Sequence, residues 1–136
     1  MFLNIIYGLI CIIYCATSTE VPGIGYCPRV NIIQNFDVPR FMGRWYEILA
    51  YPNKLTLGGS CVYSVFSFGQ NNGISIYSKQ NMLGKEKQLL GSGAIVSDGV
   101  LGITYPAYPK ANAYYNIIDT DYENYAVVFS CNNYCG

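Results

Sequence analysis

Histidine is absent from this 136-residue sequence, which removes whole classes of chemistry. Ser-His and Cys-His nucleophilic systems need an imidazole to take the proton, and His-based metal catalysis needs it as a ligand. Charge is scarce as well. Eight Lys/Arg and eight Asp/Glu make up 12% of the chain, and they are spread singly. No basic stripe offers the electrostatic footprint of nucleic-acid or anionic-membrane binding. A Gly-rich phosphate loop, an HExxH pair, a paired-carboxylate motif and an Asn-x-Ser/Thr glycosylation acceptor are all missing. Tryptophan occurs once, at Trp45, beside fourteen tyrosines and six phenylalanines. An enzyme is not expected, no cofactor or metal is required, and nucleic acid is excluded as a partner.

The first 19 residues, MFLNIIYGLICIIYCATST, carry no charged side chain. Their apolar run is shorter than the ~20 residues that span a bilayer, so stable membrane insertion is not expected. Ala16-Thr17-Ser18 supplies a small-residue cleavage pattern. Residues 1–18 therefore read as a secretory signal peptide and 19–136 as one domain, secreted and extracellular. Cys11 and Cys15 leave with the signal, and Cys27, Cys61, Cys131 and Cys135 remain. An even number of cysteines bound for an oxidising compartment reads as a disulfide framework of unknown pairing. Zinc is the competing reading, against which stand the long spacings and the missing histidine.

No window sustains helical periodicity beyond a short helical turn at 35–42, which Asp37 can cap. Seven strand-like runs follow, at about 43–52, 60–69, 73–80, 87–96, 99–106, 112–119 and 123–131. The turn signals NNG, LGKE, SDG, YPKA and TDY lie between them. Strands joined this tightly form an antiparallel up-and-down meander, which closes into a barrel or leaves exposed edges. Gly91, Gly93 and Gly102 suit the bends of a small barrel, or equally the weak edges of a sandwich. The longest loop, 53–59 (NKLTLGG), is partly apolar, as a loop that covers something would be.

These residues resemble the lipocalins. The family's first signature, Gly-x-Trp after a short helical turn, is matched by Gly43-Arg44-Trp45. Its second, before the seventh strand, is matched by Thr120-Asp121-Tyr122. The pattern is most similar to the apolipoprotein D branch, with its insect bilin-binding and insecticyanin-type members. The resemblance implies an all-β, antiparallel up-and-down barrel with a short N-terminal helical turn. It also implies a Cys27–Cys131 disulfide. In that branch the cysteine at the place of Cys61 pairs within a C-terminal tail beyond the end of this sequence. Cys61–Cys135 is the pairing left over, and an unpaired Cys135 would be open to a disulfide-linked partner. Family members also continue into an eighth strand and a helix, so the sequence reads as a C-terminally truncated product.

Alternate residues of such a barrel face inward, and about eight strands enclose one small ligand. With Trp45 inward, Glu47 and Leu49 share its face. Ile76, Ser78 and Gln80 line the third strand, and Leu89 and Gly91 the fourth. Ala113, Tyr115 and Ile117 follow, then Val128 and Ser130, while Asn53 and Leu55 stand at the mouth. The resemblance implies binding and transport of a small hydrophobic ligand: a bilin pigment, a fatty acid or other lipid, a retinoid or a sterol-like molecule. Two alternatives are a remnant that no longer encloses a ligand and a thiol-dependent isomerase using Cys61.

Overall fold

In a computed structural model of the protein, residues 25–51, 55–56 and 58–133 are described. The signal-peptide reading, Asn53 and Cys135 fall outside them. The helical turn α1 (Val38–Phe41) is capped as expected, with the Asp37 carboxylate accepting from the Arg40 N–H at 3.1 Å. Seven strands follow: β1 (Gly43–Tyr46), β2 (Gly59–Phe68), β3 (Ile74–Met82), β4 (Lys85–Ser97), β5 (Val100–Thr104), β6 (Ala113–Thr120) and β7 (Ala126–Phe129). Each pairs antiparallel with the next, in the order β1 to β7. The expected up-and-down architecture is present as a nearly closed barrel.

Sequence chemistry sets the turns. Leu83 and Gly84 both take positive φ, 52° and 79°, the geometry of the two-residue hairpin that matches strand twist. The Asp98 carboxylate at the β4–β5 turn accepts the N–H groups of Asn35 and Phe36 at 2.7 and 2.8 Å. That ties the N-terminal lead to the barrel. The Cys27–Cys131 disulfide forms, with Cα atoms 5.8 Å apart.

Three strands are shorter than their sequence runs; β5 covers only Val100–Thr104 of 99–106. β1 stops at Tyr46 instead of continuing to 52. Its last rung is the Glu47 N–H donating to the Val62 carbonyl at 2.9 Å. Beyond that rung β2 is bulged against β3, its register slipping between Ser60 and Tyr63 with Cys61 at φ 53°. β7 begins at Ala126 instead of 123, because Asp121 holds the N–H groups of Glu123, Asn124 and Tyr125 in a turn.

The core is apolar and continuous through the sheet: Phe41, Phe66, Ile74, Ile76, Leu101, Ile103, Tyr105, Ala111 and Ile117 are buried. Among the described residues, no helix is long and apolar enough to cross a membrane.

Candidate functional site: the barrel interior

One end of the barrel is plugged by aromatic side chains. Gly43, at φ 125°, turns the chain from α1 into β1 where other residues would be strained. Trp45 then stacks on Phe41 at 5.2 Å between centroids, and its Nε1–H donates to the Phe41 carbonyl at 2.8 Å. Phe36 meets Phe41 edge-on at 5.1 Å and stacks with Tyr122 at 6.0 Å.

The Thr120-Asp121-Tyr122 stretch fastens the same end. The Thr120 hydroxyl donates to the Tyr125 carbonyl and accepts from the Tyr122 N–H. The Tyr122 hydroxyl accepts from the Asp37 N–H at 3.0 Å, and the Arg40 guanidinium lies 4.6 Å above its ring. Asn124 and the backbone N–H groups of residues 123–125 hold the Asp121 carboxyl well below the usual carboxylate range. Both signature stretches are structural here.

Above the plug, strand register selects the inward residues. Trp45 lies opposite Ser64, Ser64 opposite Ser78, and Ser78 opposite Leu89. Farther round, Leu101 lies opposite Tyr115, Ile103 opposite Ala113, and Ile117 opposite Val128. Ile76 and Ile117 are fully buried, Leu89 and Tyr115 pack against the core, and Ala113 is half-buried.

A polar track crosses this apolar wall. The Ser64 and Ser78 hydroxyls are 2.7 Å apart, and those of Tyr105 and Tyr115 are 3.4 Å apart. Tyr105 also hydrogen-bonds Ser78. Burial raises both phenols above their ordinary value, Tyr115 strongly, so both remain neutral hydrogen-bonding groups at physiological pH. The track reaches Glu47, whose carboxyl accepts from the Thr56 side chain and lies near enough to Tyr115 to interact electrostatically. The Glu47 side chain is exposed at the rim; partial desolvation raises its carboxyl, and the Thr56 hydrogen bond offsets part of that rise.

At the far end Gln80 is buried, with Nε2 donating to the Leu55 carbonyl at 2.5 Å. Its Oε1 has no partner among the described residues and lies against Gly59, where an added Cβ would collide with it. Leu55 packs against the core from the mouth.

Three expected interior residues are placed differently. Leu49 is 95% exposed, because β1 ends before it. Gly91 faces inward, but the Tyr105 ring fills the space before it, 2.7 Å from where a Cβ would stand. Val128 keeps inward register opposite Ile117 yet is 41% exposed, since it stands on the outermost strand of the sheet. Ser130 follows β7 and is half-buried.

Ser64, Thr56 and Tyr105 belong to this face and escaped the sequence reading. Tyr105 was within reach, because alternation from Leu101 through Ile103 points to it directly. Cys61 has an exposed free thiol on the β2 bulge. A separate open groove of about 820 Å³ at the β2–β3 turn, lined by Phe68, Gln70 and Ser92 among others, collects no titratable side chain. Among the described residues, no group of three potential ligands could hold a metal ion.

Comparison with known proteins agrees with this architecture. A family model described as a lipocalin-like domain matches residues 36–134. The bilin-binding protein of Pieris brassicae is 28% identical over 130 residues, covering 92% of this chain and 68% of that protein. Apolipoprotein D of Mus musculus is 34% identical over 116 residues, covering 82% of this chain and 60% of its own length. The chain thus spans roughly three-fifths to two-thirds of these two relatives. Among solved structures, insecticyanin from the tobacco hornworm Manduca sexta aligns with a TM-score of 0.64 at 25% identity, over 75% of this chain and 57% of that one. The cockroach allergen Per a 4 shares the fold, with a TM-score of 0.65 at 21% identity over 79% of this chain and 67% of its own. With the plugged barrel and both signature stretches in place, the chain belongs to the lipocalin family.

Proposed function

We propose that this protein is a secreted carrier that binds one small hydrophobic ligand inside the barrel and is not an enzyme. The observation that carries the reading is the inward face itself. Register brings apolar Ile76, Leu89 and Ile117 and the polar groups of Ser78 and Tyr115 onto one wall, with exposed Glu47 at its rim, above a floor plugged by Trp45 and Phe41. Burial of apolar ligand surface would supply affinity at about 25 cal/mol per Å² before ordering costs. The polar groups would set orientation. Trp45, Glu47, Leu55, Ile76, Ser78, Gln80, Leu89, Ala113, Tyr115 and Ile117 are assigned to the binding wall, with Val128 and Ser130 at its β7 edge. Bilins, fatty acids, retinoids and sterol-like molecules are the candidate ligands. The exposed position of Cys61 on a bulge favours binding over thiol catalysis.

Secretion is assigned from the apolar leader at residues 1–18, and the Cys27–Cys131 disulfide fits an oxidising compartment. N-terminal sequencing of protein secreted by expressing cells is expected to begin near Thr19.

The binding reading predicts saturable quenching of Trp45 fluorescence by biliverdin or a fatty acid. It also predicts stabilisation of about 2.7 kcal/mol when free ligand is 100 times Kd. Neither effect, in protein with native β-sheet circular dichroism, would overturn it.

A further inference from the structure

Large apolar side chains on a surface are ordinary when scattered. Here the four most exposed among the described residues are Ile48, Leu49, Tyr51 and Leu83, between 87% and 95% exposed. All four lie at the unplugged end of the barrel. Ile48, Leu49 and Tyr51 follow the last rung of β1, and Leu83 tips the β3–β4 hairpin. The two stretches adjoin, because Gly59 lies opposite Met82 and Gln80 Nε2 reaches the Leu55 carbonyl. Tyr108, in the β5–β6 loop at the same end, is joined to β4 by the Lys87 ammonium, 5.3 Å above its ring.

Leu83 breaks a local rule to stand there. Its φ of 52° lies in the left-handed region that bulky side chains avoid. A two-residue turn ending in Gly84 favours Asn at that place, and elsewhere the chain uses Asn for such backbone, at Asn35, Asn71 and Asn72. A leucine in an unfavourable conformation and almost wholly in water does little for the fold, so the strain points to a contact outside the chain. Charge supplies the nature of that contact. Lys85, Lys87 and Lys110, scattered in sequence, gather at this end. Of the acidic groups there, Glu86 is paired with Lys79, and Glu47 accepts from Thr56. Leu and Ile enter the acyl boundary of a phospholipid layer, Tyr settles at headgroup level, and Lys meets anionic headgroups. A second copy of the chain would instead set the same lysines against one another.

We propose that the open end of the barrel is a reversible docking surface for anionic phospholipid layers, seated by Ile48, Leu49, Tyr51 and Leu83. Docking sets the barrel mouth against the lipid and needs no ligand inside, so it stands independently of the carrier reading. Co-sedimentation with sucrose-loaded vesicles of phosphatidylcholine and phosphatidylserine tests it. The wild-type protein is expected to pellet with these vesicles, and more weakly with phosphatidylcholine alone. Leu83→Asn is expected to weaken partitioning about tenfold, the scale of one Leu side chain left in water. The same change is expected to raise Tm by about 2–4 °C, because Asn suits the turn. Ile48→Ser is expected to weaken partitioning to a similar extent. Leu90→Thr, at an exposed leucine on the outer wall of β4, is expected to partition as the wild type does. No vesicle binding by wild-type protein with native β-sheet circular dichroism overturns the inference. So does equal binding to vesicles of phosphatidylcholine alone, or a Leu83→Asn variant that partitions like the wild type or melts lower. A dimer that Leu83→Asn abolishes, without vesicle binding, overturns it in favour of a second copy. Quenching of Trp45 by biliverdin stays a separate readout, whose failure bears on the carrier reading alone.

Discussion

At the scale of single residues, the interior is governed by what stands opposite each inward position. Gly91 illustrates this. The missing side chain lets the Tyr105 ring pack against β4, where its hydroxyl reaches Ser78 and Tyr115. Adding a methyl group would push on that ring and on the Thr104 carbonyl, 3.0 Å from the same point. Gly91→Ala is therefore expected to destabilise the fold by about 1–3 kcal/mol, read from the urea midpoint at unchanged m-value. An unchanged midpoint would mean that Tyr105 has room to move. Trp45 shows the same logic in the other direction: the lone indole has its N–H satisfied by Phe41 and its face covered by the same residue. That is how a half-buried Trp is accommodated at low cost.

At the scale of elements, bulges and turns decide where strands end. The 121–125 loop exists because one carboxylate gathers three backbone N–H groups and the Asn124 amide. Those bonds depress the Asp121 carboxyl below its ordinary 3.8. A depressed carboxyl contributes stability that is complete above its unfolded value and is lost as pH falls toward its folded value. Asp121→Ala is thus expected to lower Tm at pH 7, with the difference from wild type shrinking once pH drops below about 4. Thermal melts across pH 2–8 check this, and a pH-independent difference would assign the loss to packing instead. The β1–β2 ladder ends at Glu47, which stands next to Thr56, while the bulge at Cys61 shifts β2 against β3.

At the scale of the whole molecule, the disulfide links positions 104 residues apart, tying the N-terminal lead to the stretch after β7. Closing so long a loop restricts the unfolded chain, and removing such a bridge costs about 2–5 kcal/mol. The Cys27→Ser, Cys131→Ser double variant is expected to unfold at correspondingly lower urea. Wild-type protein in reductant is expected to match it, and equal midpoints in oxidised and reduced wild type would contradict this. The same covalent tie, with the Asp98 bonds to Asn35 and Phe36, keeps the lead in place over the barrel.

Much of this was legible in the sequence. Period-two alternation is a local property of extended backbone. It grouped Ile76, Ser78 and Gln80, and likewise Ala113, Tyr115 and Ile117, on one face of their strands from residue order alone, and the turn residues between runs dictated an antiparallel meander. The Gly43–Trp45 and Thr120–Tyr122 stretches identified the family before any coordinate was known. Tertiary structure alone decided the rest. Leu49 left the interior because the pairing of β1 with β2 ends at Glu47, before it. Gly91 lost its open space to Tyr105, a residue of another strand's end. The polar track from Ser64 to Glu47 exists only because five segments distant in sequence converge. A strand's own residues determine which way each side chain points, while the space it meets is set by neighbours brought together by folding.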